Sequence, residues 1–349
     1  MHAQTSGYTV AGDDVRGQLE ELRQSHPELH ALADPQRLAA WEDALCTTLE
    51  RHDDFGADPE GSRGVEYVQA QTLNSRARET GIRNLLGFAD SASRVPNGER
   101  PVLVDLLGGD GLVRKVCEEL GIGDFNILTC DASPHMVASA WAAGMPALLQ
   151  RAEQPLLRDR TVDAVLLAYG SHHVPPSDRQ TVATEAHRML RPGGAFILHD
   201  FLVGSPVDVW FEEVTDVYSA TGHKFLHFTR DEIDGYLEKA GYDHREVVEI
   251  DDPYTAVGAT PEEAEIEIGR YLLNMYGLVK VFDGRTENEA YRWVTETAKS
   301  IFRYPDGEGS LAAAELRYEE GTGKWRLTIP RRAVVGVGRI ASAATPDGR

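Results

Sequence analysis

Apolar residues recur at spacings of three and four through Leu38, Trp41, Leu45 and Leu49, which predicts an amphipathic helix. A second helical stretch runs through YVQAQTLNSRARETGIRNLLGF, residues 67–88, and a turn at NGER, residues 97–100, closes the section. From Pro101 the texture changes. Short runs that are apolar on both faces (VLVDLL, FNILTC, DAVLLAYG, AFILHDF) alternate with helical patterns, as expected of a parallel sheet covered on two sides. Helix starts support this division: Ser133 precedes Pro134, and Ser177 with Gln180 and Thr229 with Glu232 have capping-box spacing. Beyond the strand-like VVEI, Thr260, Pro261 and Glu263 open another helix, and a further one runs near Glu287 to Phe302. LRYEEGTGKWRLTIP reads as a glycine-turn hairpin, AVVGVG as a last antiparallel strand on the sheet, and ASAATPDGR as a disordered tail. The chain therefore divides into a helical lid (1–100), an α/β core (101–255), a helical insertion (256–310) and a hairpin with the last strand of the core (311–340).

Charge and composition narrow the function. With 349 residues the chain can bury a full core, and a net charge of -21 with no basic stripe to offset it speaks against a nucleic-acid partner. Cys46, Cys117 and Cys130 lack CxxC spacing, so neither a disulfide framework nor a zinc site is expected, and a reducing compartment suits them. The N-terminus has no cationic region followed by an apolar run, and no stretch has the length of a membrane span, so the expected location is the cytoplasm.

The chemistry concentrates at the ends of the predicted strands. The first strand ends in Asp105-Leu106-Leu107-Gly108-Gly109-Asp110-Gly111 and passes into a helix, which lets backbone approach a ligand at a helix N-terminus. Twenty residues after Gly111, Asp131 ends the second strand, where a carboxylate can accept both ribose hydroxyls of an adenosine. That pair suits a nicotinamide dinucleotide or S-adenosylmethionine. A dinucleotide fingerprint starting at Gly109 wants a small residue at position 114, and Arg114 stands there.

CDASPHM, VDAVLLAYGSHHVPP and AHRMLRPGGAFILHD, in that order, resemble the successive motifs of small-molecule class I S-adenosylmethionine-dependent methyltransferases, over roughly residues 101–250. The resemblance implies a Rossmann-like, doubly wound seven-stranded sheet of order 3-2-1-4-5-7-6 with strand 7 antiparallel, and S-adenosylmethionine as cofactor. It places Gly109 and Gly111 beside the methionine part, Asp131 on the ribose, and Ala132, Met136 and Glu153 around the adenine, with Asp105 also among the cofactor-binding residues. Leu107 stands where the family's first loop glycine is expected.

Tyr169 ends the fourth strand where the resemblance places the contact between sulfonium and acceptor, and an aromatic face there can stabilise a cation. His172 and His173 follow at the carboxyl edge of the sheet and are candidate general bases, because imidazole titrates near neutrality. Tyr67, Arg76 and Arg78 in the lid, and His223, are candidates for binding substrate, the arginines by pairing with a carboxylate. His223 and His227 lie near the same rim, but no carboxylate has convincing ligand spacing and no metal site is expected.

Methyl transfer to a small, enclosed biosynthetic acceptor is the first expectation. An alternative keeps the cofactor and cyclises it into a cyclopropane (1-aminocyclopropane-1-carboxylate) or azetidine amino acid with release of methylthioadenosine; Tyr169 resembles a feature of such enzymes, but Ala132 stands where the azetidine-forming members carry a side-chain amide. A third is a non-catalytic binding module, its lid helices serving as homo-oligomer surfaces.

Overall fold

Strand pairing in the computed structural model, which describes residues 12–49, 53–58, 61–90, 100–305 and 310–342, follows the order the motifs imply. The strands are β1 (Val102–Asp105), β2 (Asn126–Asp131), β3 (Ala147–Leu149), β4 (Val162–Leu167), β5 (Leu190–Asp200) and β6 (His244–Asp251). Then come β7 (Tyr254–Gly258), β8 (Tyr304–Pro305), β9 (Leu311–Ala312), β10 (Glu315–Glu319), β11 (Lys324–Ile329) and β12 (Arg332–Arg339). The seven-stranded sheet has the order β3-β2-β1-β4-β5-β12-β6, with β12 antiparallel to both neighbours. This is the Rossmann-like, doubly wound sheet that the resemblance implies, with β12 as its seventh strand.

Successive residues of the central strands enter different cores, as the period of two requires. Val104, Leu128, Val165 and Phe196 pack on one face with the helices Pro176–Met189 and Arg230–Ala240. Leu103, Ile127, Leu166 and Ile197 pack on the other with Glu79–Asp90 and Leu112–Leu120. Apolar runs without alternation were thus the signature of a sheet buried on both sides.

A third core lies beyond the edge of this sheet. The hairpin β10–β11 pairs with β7 in a separate three-stranded sheet, rather than joining the main one, and the helices Pro261–Met275 and Glu287–Ile301 pack with it around Tyr254, Ile268, Leu272, Val294 and Phe302. Strand β7 also crosses the expected boundary at residue 255. Among the described residues, no helix is long and apolar enough to cross a membrane.

Local signals held where a side chain could reach the first turn. Ser133, Thr229 and Thr260 accept hydrogen bonds from the main chain of Met136, Glu232 and Glu263, and Thr286 with Glu289 forms a further capping box. Ser177 does not cap: Pro176 already occupies the first helical turn, and Ser177 Oγ bonds Asp178. The stretch 67–88 breaks at Asn74 into the helix Gly64–Leu73, a 3₁₀ turn Ser75–Arg78 and the helix Glu79–Asp90. The expected NGER turn, except Arg100, and the tail beyond residue 342 lie outside the described residues.

Candidate active site

The carboxyl ends of β1, β2 and β4 open onto a cavity of about 250 Å³. Its floor is the glycine loop. Gly109 has φ +56°, in the left-handed region that a side chain disfavours, and a Cβ there would stand 3.0 Å from Met136 Cε. The bare loop brings Gly109 N–H to Asp131 Oδ2 at 2.9 Å, while Asp131 Oδ1 accepts from Ser133 N–H at 2.9 Å. Each carboxylate oxygen keeps a lone pair for a further donor, which is what a ribose diol requires. Burial, partly offset by these N–H donors, raises Asp131 from 3.8 to about 6.

Asp105 lies beneath the loop rather than in the cavity wall, 3 % exposed. Burial first, then the charge of Asp131, pushes it up to about 8, so at neutral pH it is held largely as the neutral acid. Gly111 is also absent from the wall; with φ +85° it is the N-cap of the helix Leu112–Leu120. Ala132, Met136 and Glu153 do line the cavity, with Glu153 ion-paired to Arg151. Asp53 joins them from the lid: it accepts from Ser133 Oγ at 2.7 Å, and burial raises its pKa.

Tyr169 separates this cavity from a smaller chamber of about 30 Å³. Its φ of +61° is strained for a bulky residue, and two contacts hold it: its N–H donates to His199 Nδ1 at 3.3 Å, and its hydroxyl donates to Asp252 Oδ1 at 3.3 Å. Asp252 also binds His199 Nε2 at 3.1 Å and Arg331 Nη2 at 2.5 Å. Burial opposes the charge on Asp252, but Arg331, His199 and Arg78 together outweigh it and the pKa falls. The Tyr169 phenol is driven well above its ordinary value by burial and by Asp252, so it stays protonated and serves as a wall rather than a base.

Among the described residues, three guanidinium groups line the chamber and no carboxylate does so. Arg331 is neutralised by Asp252. Arg78, 3 % exposed, stacks 4.4 Å from the Tyr169 ring centroid and donates to the Tyr67 hydroxyl at 2.9 Å; its Nε has no partner, and among the described residues no carboxylate pairs with it. Arg63 Nη2 donates to His173 Nε2 at 2.8 Å. Arg76, the other arginine expected here, instead pairs with Glu79 on the surface at 2.7 Å. The break at Asn74 sets which of the two turns inward, and sequence spacing did not reveal it.

His172 and His173 complete the walls, with His223 and His227 packed behind them. His172 donates from its main-chain N–H to Asp200 Oδ2 at 2.8 Å, and its Nδ1 lies 3.0 Å from both carboxylate oxygens. That fixes the proton on Nδ1 and turns a lone pair on Nε2 inward. Burial lowers the pKa of His172, and lowers those of His173 and His223 as well, so all three are neutral at pH 7. His173 lines the cofactor-side cavity, whereas His172 lines the chamber. His223 packs 5.0 Å from His172, and His227, also 5.0 Å away, bonds Asp208 through Nδ1 at 2.5 Å. Asp200, Asp208, Asp252 and Arg331 escaped sequence reasoning; only Asp200, in the motif AFILHD, carried a local signal.

Residues 104–198 match the model of a family described as methyltransferase domain. Among curated proteins, the chain is 28% identical over 166 residues to the mitochondrial 2-methoxy-6-polyprenyl-1,4-benzoquinol methylase of Bos taurus, covering 45% of this chain and 43% of that protein. It is 31% identical over 140 residues to a ubiquinone/menaquinone biosynthesis C-methyltransferase of Nitrobacter hamburgensis, covering 37% and 53%. The chain thus spans about half the length of these curated relatives. A solved S-adenosylmethionine-dependent methyltransferase from Archaeoglobus fulgidus aligns with a TM-score of 0.43 at 13% identity, over 78% of this chain and 99% of that one. Residues 104–198 thus match a methyltransferase-domain family, in a chain whose sheet order is Rossmann-like and whose first strand ends in a glycine loop.

Proposed function

We propose that this chain transfers a methyl group from S-adenosylmethionine to a small molecule bearing an acid group. The observation that carries this conclusion is the position of Tyr169, which lines both the cavity at the glycine loop and the guanidinium chamber. S-adenosylmethionine brings a methyl group already activated on a sulfonium, so the protein must chiefly orient the partners and exclude water. Asp131 would take the ribose, and Ala132, Met136 and Glu153 surround the space beside it. Arg78, charged, buried and without a carboxylate partner among the described residues, suits a ligand carboxylate, with Arg63 and the Tyr67 hydroxyl beside it. His172, backed by Asp200, presents a neutral nitrogen that can accept a proton from the acceptor.

The names of the two curated relatives, a benzoquinol methylase and a C-methyltransferase of quinone biosynthesis, support a small biosynthetic acceptor. Neither supports the cyclising alternative. The test is incubation with S-adenosylmethionine carrying a deuterated methyl group and a panel of small aromatic and aliphatic acids, followed by mass spectrometry. We expect S-adenosylhomocysteine together with a labelled acid. Methylthioadenosine and a four-carbon cyclic amino acid, formed without any added acceptor, would establish cyclisation instead.

A further inference from the structure

The two residues that end β5 hold the loop that follows β4. Tyr169 donates its main-chain N–H to His199 Nδ1 at 3.3 Å, Ser171 Oγ donates to the His199 carbonyl at 2.8 Å, and the main-chain N–H of His172 donates to Asp200 Oδ2 at 2.8 Å. His199 is wholly buried, and its ring centroid stands 4.4 Å from that of Tyr169. A main-chain N–H can only donate, so Nδ1 of His199 must present a lone pair and the imidazole proton must sit on Nε2. Nε2 then donates to Asp252 Oδ2 at 3.1 Å, and the Tyr169 hydroxyl donates to the other oxygen, Oδ1, which closes the circuit. Arg331 fixes Asp252 in turn, bonding both its carbonyl and its carboxylate.

We infer that His199 positions Tyr169 for methyl transfer: as the Nε2–H tautomer it holds the strained backbone of Tyr169, and with it the wall between the cofactor cavity and the guanidinium chamber. The need for this hold lies in the backbone itself. A tyrosine at φ +61° keeps that conformation only where its surroundings over-determine it. The hydroxyl contact with Asp252 cannot do so alone, because it lies at the far end of a side chain free to turn, whereas the bond to His199 Nδ1 acts on the main chain of the strained residue.

The place of the Tyr169 ring also sets that of Arg78, whose guanidinium lies 4.4 Å from its centroid. Were the backbone to relax, the ring would leave both walls it lines, and Arg78 would lose the face it rests on. Asp131 bonds Gly109 and Ser133 and has no bond to this circuit, so the damage falls on the register between the two ligands rather than on the hold on the cofactor. The consequence for turnover rests on the proposed methyl transfer; the tautomer and its bond to Tyr169 do not.

Two replacements in the full chain separate the nitrogens. His199→Asn puts an amide oxygen near the place of Nδ1, where it can accept from Tyr169 N–H, and His199→Gln puts an amide nitrogen near the place of Nε2, where it can serve only Asp252. With S-adenosylhomocysteine bound, exchange of the Tyr169 amide hydrogen, read by mass spectrometry of the peptide that carries it, should be slow in the parent and in His199→Asn and about tenfold faster or more in His199→Gln. Turnover of the acid that is methylated should fall by about tenfold or more in His199→Gln and recover most of that loss in His199→Asn, with affinity for S-adenosylhomocysteine within about threefold of the parent in both. A histidine with a merely structural role would give equal exchange and turnover in the two variants, and that result would overturn the inference. Should neither variant fold, nitrogen NMR of the parent with its His199 signals assigned decides: a proton on Nε2 is expected, and one on Nδ1 would overturn it. Were no acid methylated, the proposed reaction would fall, while exchange and tautomer would still uphold or overturn the role of His199.

Discussion

Asp131 shows how one side chain can carry two opposite pH dependences. Its pKa is raised from 3.8 to about 6, chiefly by burial, so between those values the folded chain binds more protons than the unfolded one. Its contribution to stability is therefore full below about pH 4 and is lost as the pH rises through about 6. Cofactor binding has the reverse sign, because ribose hydroxyls donate best to the ionised carboxylate. We predict that affinity for S-adenosylhomocysteine falls up to roughly tenfold per unit below about pH 6 and levels off above it, and that Asp131→Asn weakens binding and flattens the profile. Calorimetric titration across that range checks both. The position of Asp131 was legible in the sequence because its distance from the glycines is set by one strand-helix-strand unit. The pKa was not, since it depends on what the fold buries around the carboxyl group.

Secondary elements were readable where their signals are local, and less so where partners come from afar. Thr229 and Thr260 announced their helices because capping needs only the next three residues. The hairpin β10–β11 was equally plain, yet its partner β7, more than fifty residues earlier, could not be read from either segment. The helix Glu79–Asp90 makes a second such case. Gly81 lets it pass directly over the site: a Cβ there would lie 1.8 Å from Asp252 Oδ1 and 2.8 Å from the Tyr169 hydroxyl. Gly81→Ala must displace either the helix or the carboxylate that organises Tyr169, His199 and Arg331. We expect a loss of about 1–3 kcal/mol of stability, seen as a lower melting temperature, with turnover reduced further. An unchanged melting temperature and activity would show that the helix has freedom the packing denies it.

Across the whole molecule, charge is distributed against its own average. The chain carries -21, yet a small chamber holds Arg63, Arg78 and Arg331, with Asp252 behind Arg331 and Asp200 behind His172. A general repulsion of anions surrounds a local attraction for one acid group. Arg78→Gln, which keeps much of the side-chain length but removes the charge, should raise the KM for an acid acceptor at least tenfold while leaving S-adenosylhomocysteine affinity within about threefold. Steady-state kinetics with direct ligand titration separates the two. The convergence of His172, His223 and His227 also belongs to this scale: some fifty residues part the first from the others, and only the closed fold makes them neighbours. The sequence motifs identified the sheet and its cofactor edge because they recur in order along the chain. The guanidinium chamber is assembled from the lid, the end of β4, the β5–β6 connection, the end of the helix Pro261–Met275 and the approach to β12, and no single segment carries its pattern.

Binding of S-adenosylmethionine underlies every other role proposed for this site, and thermal unfolding of the full chain tests it most directly. A ligand at one hundred times its dissociation constant adds about 2.7 kcal/mol to the stability of the form that binds it, enough to raise the melting temperature by several degrees. S-adenosylmethionine and S-adenosylhomocysteine should both produce that rise in the parent, and neither should do so at the same concentration in Asp131→Ala. No rise with either ligand in the parent, at concentrations up to the millimolar range, would contradict it.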